Sequence, residues 1–197
     1  SGECMAVTSA AGGVGTAVLD LGKIARLKMI GIASKGKHDV IQKRGAIAVD
    51  YQDRDFAKEV RQHAPNGLDL FIDNVGGEML SKGYGLLRRG GRLVSNGALS
   101  IRGSSRNDFL PILLAVYGRK LIPDGKKTAF NSGVAQLAMK EPAWYQKTLR
   151  EMVELTARHE VKPLVGHIFP LAEVAKAHAL IETGQSRGKI LLDCRGK

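Results

Sequence analysis

The segment Val7-Thr8-Ser9-Ala10-Ala11-Gly12-Gly13-Val14-Gly15 sets three glycines between an apolar run beginning at Cys4 and a stretch with helical spacing at Ala17, Val18, Leu21 and Ile24. Strand, glycine turn and helix in immediate succession constrain the chain more than any other feature, because few folds need that junction. With no side chain at Gly12, backbone can approach a pyrophosphate. Gly15 lets the helix pack close to the strand, and the helix N-terminus offers free N–H groups to an anion. The spacing is an A-x-G-x-x-G form of the dinucleotide fingerprint. A tight turn that binds nothing is the alternative, and the decisive context is whether the junction opens an alternating series of strands and helices.

It does. Short apolar runs at 4–8, 29–33, 47–51, 68–73, 92–96 and 120–123 read as six strands, and the stretches 14–26, 37–44, 53–64, 78–87 and 108–118 between them read as helices. Apolar strands alternating with amphipathic helices predict an α/β, doubly wound parallel sheet, the Rossmann fold. Beyond about residue 135 the rhythm changes to a helix at 142–159, a strand at 164–169, a helix at 171–182 and a strand at 189–194. Two strands and two helices cannot enclose a core of their own, so this part must pack on something else. The expected division is a dinucleotide-binding domain at 1–140 and a C-terminal α/β segment at 141–197.

An NAD-binding chain usually carries an Asp or Glu at the end of the second strand, where it accepts hydrogen bonds from the ribose. Here that place reads Ala33-Ser34-Lys35-Gly36-Lys37. A hydroxyl and two ammonium groups suit a 2′-phosphate, so the expected cofactor is NADPH. Lys35 and Lys37 read alternatively as solvated turn residues. Asp39 lies in the next helix and reads as a partner of its N-terminal dipole. The formal net charge of +11 raises nucleic acid or a membrane surface as partners, but the basic residues occur singly or in pairs such as Arg88-Arg89 and Lys126-Lys127. A solvated surface with a cofactor component is expected, with no nucleic acid and no membrane as partner. No apolar run of about 18 residues is present, and the chain reads as cytoplasmic. Cys4 and Cys194 both fall in strand-like runs and are expected to be buried, reduced thiols.

The landmarks Ala10 to Gly15, Val49-Asp50-Tyr51, Asp69 to Glu78, Gly90 to Gly97 and Ser186 to Leu192 occur in an order that resembles the medium-chain dehydrogenase/reductase superfamily. Within it, the similarity is to the zinc-independent branch of quinone oxidoreductases and enone reductases. The resemblance implies that Gly12, Gly13, Val14 and Gly15 hold the pyrophosphate, and that Lys37 and Tyr51 contact the 2′-phosphate with Ser34 nearby. It places Asn74 beside the nicotinamide ribose and Asn96, Gly97, Ala98, Leu99 and Ser100 along the nicotinamide. Phe130 and Ser186 match further cofactor contacts. Read without the resemblance, Tyr51 is a buried strand-end aromatic and Asn74 a strand-end cap. Family members begin with a separate substrate domain of roughly a hundred residues, so the resemblance implies that 141–197 belongs to an incomplete catalytic domain and that the chain is truncated.

The implied reaction is hydride transfer from NADPH to a small-molecule electrophile, a quinone, an enone or an aldehyde, with the protein orienting the cofactor. No catalytic acid or base is identifiable. The histidines His38, His63, His159, His167 and His178 are scattered without neighbouring cysteines, so no metal site is expected, although a zinc-type alcohol dehydrogenase cofactor domain stays open because its ligands would lie mainly in the absent domain. A noncatalytic nucleotide-binding module is the other alternative. In relatives the edge near 119–124, following the sixth strand position, pairs across a two-fold axis, which makes a homodimer the expected assembly.

Overall fold

The computed structural model describes residues 2–53, 55–96, 114, 116–131 and 134–195. Six parallel strands form one sheet in the order β3-β2-β1-β4-β5-β6: β1 is Cys4–Thr8, β2 Lys28–Ala33, β3 Ile47–Asp50, β4 Leu68–Asp73, β5 Leu87–Ser95 and β6 Lys127–Phe130. The order reverses between β1 and β4, which is the point where open α/β sheets leave a crevice at the carboxyl ends of their strands.

Both faces of this sheet are covered, and the period of two along each strand shows it. Cys4 and Ala6 of β1 join Ile30 and Ile32 of β2 in one core cluster, while Met5, Val7, Met29 and Ala33 join another. Helices α1 (Gly13–Ile24) and α2 (His38–Gln42) supply Leu19, Val40 and Ile41 to the second cluster. Helices α3 (Phe56–His63) and α4 (Gly77–Leu86) supply Phe56, Val60, Leu80 and Tyr84 to the first. Each of these fully buried aliphatic or aromatic side chains contributes roughly 1.5–3 kcal/mol by leaving water. The alternating pattern of the sequence therefore has the origin expected of a doubly wound sheet.

The sixth strand is displaced from its expected place. The run at 118–121 is a 3-10 turn, Leu121 is 86% exposed, and the strand beside β5 is Lys-Thr-Ala-Phe at 127–130. Pro123 cannot donate to a ladder. The intervening turn is instead held by the Asp124 carboxylate, which accepts from the Lys126 amide (3.0 Å) and the Tyr84 hydroxyl (2.8 Å). Thr128, the central polar residue of β6, is buried because its hydroxyl donates to the Val116 carbonyl (2.7 Å). Among the described residues the outermost strand on this side is accordingly β6, not 119–124. β5 also starts earlier than the apolar run suggests, at Leu87 directly after α4. Of the helix expected at 108–118, only 114 and 116–118 are described, and Leu114, Val116 and Tyr117 are helical.

The C-terminal part contains α5 (Val134–Lys140), which the sequence reading did not separate out, and α6 (Pro142–Ala157). A two-stranded parallel sheet follows, β7 (Val165–Pro170) with β8 (Lys189–Asp193), connected through α7 (Val174–Glu182). Two of its attachments to the larger unit involve α1 and the glycine turn. The Asp20 carboxylate of α1 lies 3.3 Å from Arg44 Nε and accepts from the Lys162 amide (2.9 Å). The Gly188 amide donates to the Ala11 carbonyl (2.8 Å), forming a bridge between Gly188 and Gly12. Cys4 is buried as expected, but Cys194 is exposed, directly after the last residue of β8, a strand with no fully buried residue.

Candidate functional site

A cleft of about 300 Å³ opens at the carboxyl ends of β1 and β2, where the strand order reverses. Its wall includes Gly12, Ser34, Lys37, Tyr51 and Ser186, five residues that the sequence reading assigned to one site. Thr8, Ser9, Val75 and Met79 line it as well, and the sequence reading did not single them out.

The floor is the glycine turn. Ser9 adopts φ +53, and the Gly12 amide donates back to the Ser9 carbonyl (3.0 Å). A Cβ on Gly15 would collide with the Ser9 carbonyl and the Ala10 backbone, so α1 can begin this close to β1 only with glycine there. The N-cap Gly12 brings no side-chain acceptor, and the first turn holds no acidic residue. The positive end of a twelve-residue helix thus faces the cleft uncompensated.

A cation has been set against that positive end. The Gly12–Gly188 bridge brings the first residue of β8 beside α1, and a Cβ on Gly13 would lie 2.5 Å from Cε and 2.7 Å from Cδ of Lys189. Gly13 therefore leaves room for the Lys189 stem. The Lys189 ammonium has no side-chain or backbone partner among the described residues. A lysine held at a helix N-terminus is unfavourable unless an anion sits with both. In the sequence Lys189 stands only within the landmark Ser186 to Leu192, and no local spacing reveals that it meets Gly13 from the far end of the chain.

A second cationic group lies at the end of β2. Lys37 Nζ donates to the carbonyls of Gly184 (2.6 Å) and Ser186 (2.8 Å), leaving one of its three protons unspent. Burial, and then the nearby Arg187, hold the Lys37 ammonium below its usual pKa. Arg187 pairs with Asp39 (3.1 Å) and donates to the Gly36 carbonyl. Asp39 thus has a second role beside its place in the first turn of α2, and Arg187 is a further member that the sequence reading missed. The Ser34 hydroxyl makes no cap, and Tyr51 is 46% exposed at the cleft, not a buried strand-end aromatic.

On the other side of the reversal, Asn74 is buried, with Nδ2 donating to the Thr8 carbonyl and its amide to the Thr8 hydroxyl, both at 2.8 Å. It caps the β1–β4 junction. Beneath it the fully buried Asp73 carboxyl accepts from Thr8 Oγ1 (3.1 Å) and from the amides of Val75 (3.1 Å) and Gly76 (2.9 Å), and burial raises its pKa. Asn96 follows the end of β5, Phe130 packs on the larger core cluster from the end of β6, and neither lines the cleft. Gly97, Ala98, Leu99 and Ser100 lie outside the described residues. Among the described residues no group of three or more His, Cys, Asp or Glu side chains is placed to hold a metal ion, and no helix is long and apolar enough to cross a membrane.

The arrangement has one chemical reading as a binding site: two separate anionic groups, one at the α1 N-terminus beside Lys189 and one beside Lys37 and Arg187, spanned by a ligand lying across the strand ends. In sequence and fold the chain is similar to known proteins. The synaptic vesicle membrane protein VAT-1 homolog of Danio rerio is 30% identical over 199 residues, covering 96% of this chain and 40% of that protein. The human quinone oxidoreductase is 26% identical over 196 residues, covering 98% of this chain and 55% of that protein. The structure of CurA in complex with NADPH from Vibrio vulnificus superposes with a TM-score of 0.76 at 20% identity, over all of this chain and 58% of that one. The chain thus spans about half the length of the proteins it matches. The family model for zinc-binding dehydrogenases matches residues 45–192, and the chain belongs to that family, within the medium-chain dehydrogenase/reductase superfamily.

Proposed function

We propose that this chain is the cofactor-holding part of an NADPH-dependent oxidoreductase that reduces a small electrophile, an activated double bond or a quinone. The observation that carries the cofactor choice is the cation pair at the end of β2: Lys37 and Arg187 stand where an NAD-binding chain presents a carboxylate. The residues fit the cofactor in shape as well, since Gly12 and Gly15 keep the α1 N-terminus open to a pyrophosphate.

Bound NADPH would supply the hydride. The chain's own residues bind and orient it. The first amides of α1 and Lys189 take the pyrophosphate. Lys37, with its remaining proton, takes the 2′-phosphate together with Arg187, Ser34 and Tyr51. Val75 and Met79 give the cleft an apolar wall on the β4 side. The same reading includes a further domain that packs on the exposed apolar side chains of β7 and β8 and completes the substrate pocket; Ile168 is 63% and Leu191 45% exposed.

Calorimetric titration with NADPH and NADH, repeated on Lys37→Ala, tests the reading. NADPH is expected to bind at least about tenfold tighter than NADH, a difference of roughly 1.4 kcal/mol, and the variant is expected to lose that preference while still binding NADH. Equal binding of both cofactors by the native chain would remove the NADPH assignment.

A further inference from the structure

A second cleft, of about 430 Å³, opens at the far end of α1, between the last turns of α1 and α2 and the turn 158–162 that follows α6. The twelve residues of α1 rise roughly 18 Å, so this cleft is remote from the glycine turn and does not rest on the dinucleotide reading. Ile24 is the one apolar side chain among the described residues that line it. Such a lining suits a charged, hydrated ligand and not a lipid.

Both acids in the lining are spent. The Asp20 carboxylate is held by Arg44 and the Lys162 amide, and Glu160 accepts from Arg158 Nε (2.7 Å). Arg44 is spent as well, its Nη atoms donating to the Val40 (3.1 Å) and Lys162 (3.3 Å) carbonyls. The ammonium groups of Lys23 and Lys162 have no partner among the described residues. That of Lys43 lies 3.9 Å from Asp39, a carboxylate that Arg187 holds more closely (3.1 Å). These lysines are not needed as helix caps. The terminal carbonyls of α1, α2 and α6 are taken by the amides of Ala25 and Arg26, of Lys43 and Arg44, and of Arg158 and His159, at 2.9 to 3.1 Å. The three helix ends together bring at most about 1.5 negative charges, fewer than the three ammonium groups supply.

We propose that this cleft binds a compact polyanion of the phosphate class between Lys23, Lys43 and Lys162. With the Arg44 fork already bonded, no planar bidentate donor is left for a carboxylate, whereas lysine ammonium groups act as point charges toward phosphate oxygens. The bound anion ties α1 and α2 to the turn that leads into β7, and so reinforces the joint that Asp20 makes.

Inorganic tripolyphosphate is the probe, titrated calorimetrically at low salt into the native chain, Lys23→Ala/Lys162→Ala and Lys189→Ala, with citrate as the comparison ligand. The native chain is expected to bind tripolyphosphate with an affinity that falls as salt rises. Binding should survive in Lys189→Ala and weaken about tenfold in the double variant, and citrate should bind more weakly than tripolyphosphate. Both substituted lysines are exposed, so the melting temperature without ligand should stay as it was. Lys43→Ala, at a side chain 78% exposed, is expected to weaken binding about threefold and decides the matter where the double variant melts early. Unaltered affinity in the lysine variants overturns the site, as does a native chain that binds no tripolyphosphate. Loss confined to Lys189→Ala overturns it too, by placing the anion at the α1 N-terminus. Citrate bound as tightly as tripolyphosphate overturns the phosphate class. Proteolysis near 158–164 should slow when tripolyphosphate is present, and unchanged cleavage overturns the reinforcement of the joint.

Discussion

The strands β1 and β8 each carry an apolar run, Cys4 to Val7 and Ile190 to Leu192, in opposite surroundings. Cys-Met-Ala-Val-Thr of β1 is buried at every position, whereas Lys-Ile-Leu-Leu-Asp of β8 has no fully buried residue and Leu191 is 45% exposed. The difference is the number of layers. β1 lies between two helical layers in a six-stranded sheet, while β8 pairs with one strand, β7, and α7 packs against β7. Apolar strand sequence specifies that a surface is to be covered, and only the rest of the fold decides whether this chain covers it.

The largest expected contrast follows directly. Phe71 is fully buried in the middle of β4, with Gly83 of α4 against its ring. Phe71→Ala is expected to cost about 3–5 kcal/mol in chemical denaturation. Ile168→Ala, which also removes a large apolar side chain from a strand, is expected to cost under about 0.5 kcal/mol. Similar losses at the two positions would mean that β7 is covered in solution, for example by a second copy of the chain.

The joint between the regions comes next. Asp20 holds Arg44 and the Lys162 amide at once, and Arg44 also donates to the Lys162 carbonyl (3.3 Å). Asp20→Ala leaves a mostly buried guanidinium without its carboxylate and frees the turn that leads into β7. A loss of roughly 2–3 kcal/mol is expected, below the range for fully buried pairs because Arg44 keeps some solvent contact. Limited proteolysis should then cut near 158–164 before the six-stranded sheet unfolds. A single unfolding transition with unaltered cleavage would show that the remaining contacts, the Gly12–Gly188 bridge and the bonds of Lys37 and Arg187 among them, suffice to fasten the segment.

How much of this was legible in the sequence depends on how local each cause is. β1, β4 and the opening of α1 are fixed by runs of adjacent residues and lie where the apolar pattern and the glycines put them. β6 was not legible, because Leu121 and Ile122 are the more apolar run while Thr128, which pairs with Leu93 of β5, is a polar residue whose hydroxyl is satisfied by the distant Val116 carbonyl. In the site, Gly12, Ser34, Lys37 and Tyr51 converge as their strand-end positions suggest. Lys189 and Arg187 were hidden, since their places depend on a bridge between the glycine turn at Gly12 and Gly188, just ahead of the last strand. That bridge makes the exposed C-terminal unit part of the cleft.

Binding can therefore be separated from stability at Lys189. Lys189→Ala is expected to weaken NADPH about tenfold, near 1.4 kcal/mol, with the loss shrinking at high salt and the melting temperature unchanged. Gly13→Ala should produce the same loss from the opposite side by pushing the Lys189 stem away. A melting temperature that falls with the affinity would make Lys189 a packing residue.

The smallest effect tests what the exposed face of β7 is for. Ile168 is 63% exposed, so exchanging it for serine removes little buried apolar surface and introduces no unsatisfied group. Ile168→Ser should shift unfolding free energy by no more than about 0.5 kcal/mol and leave NADPH affinity as it was. Its consequence should appear in association, because apolar side chains on an uncovered strand pair promote sticking between molecules. Sedimentation velocity over a range of concentrations should show less self-association than in the native chain. If the face is instead satisfied as it stands, association is unchanged, and the contrast between β1 and β8 reduces to tolerance of exposed aliphatic residues, which protein surfaces commonly show.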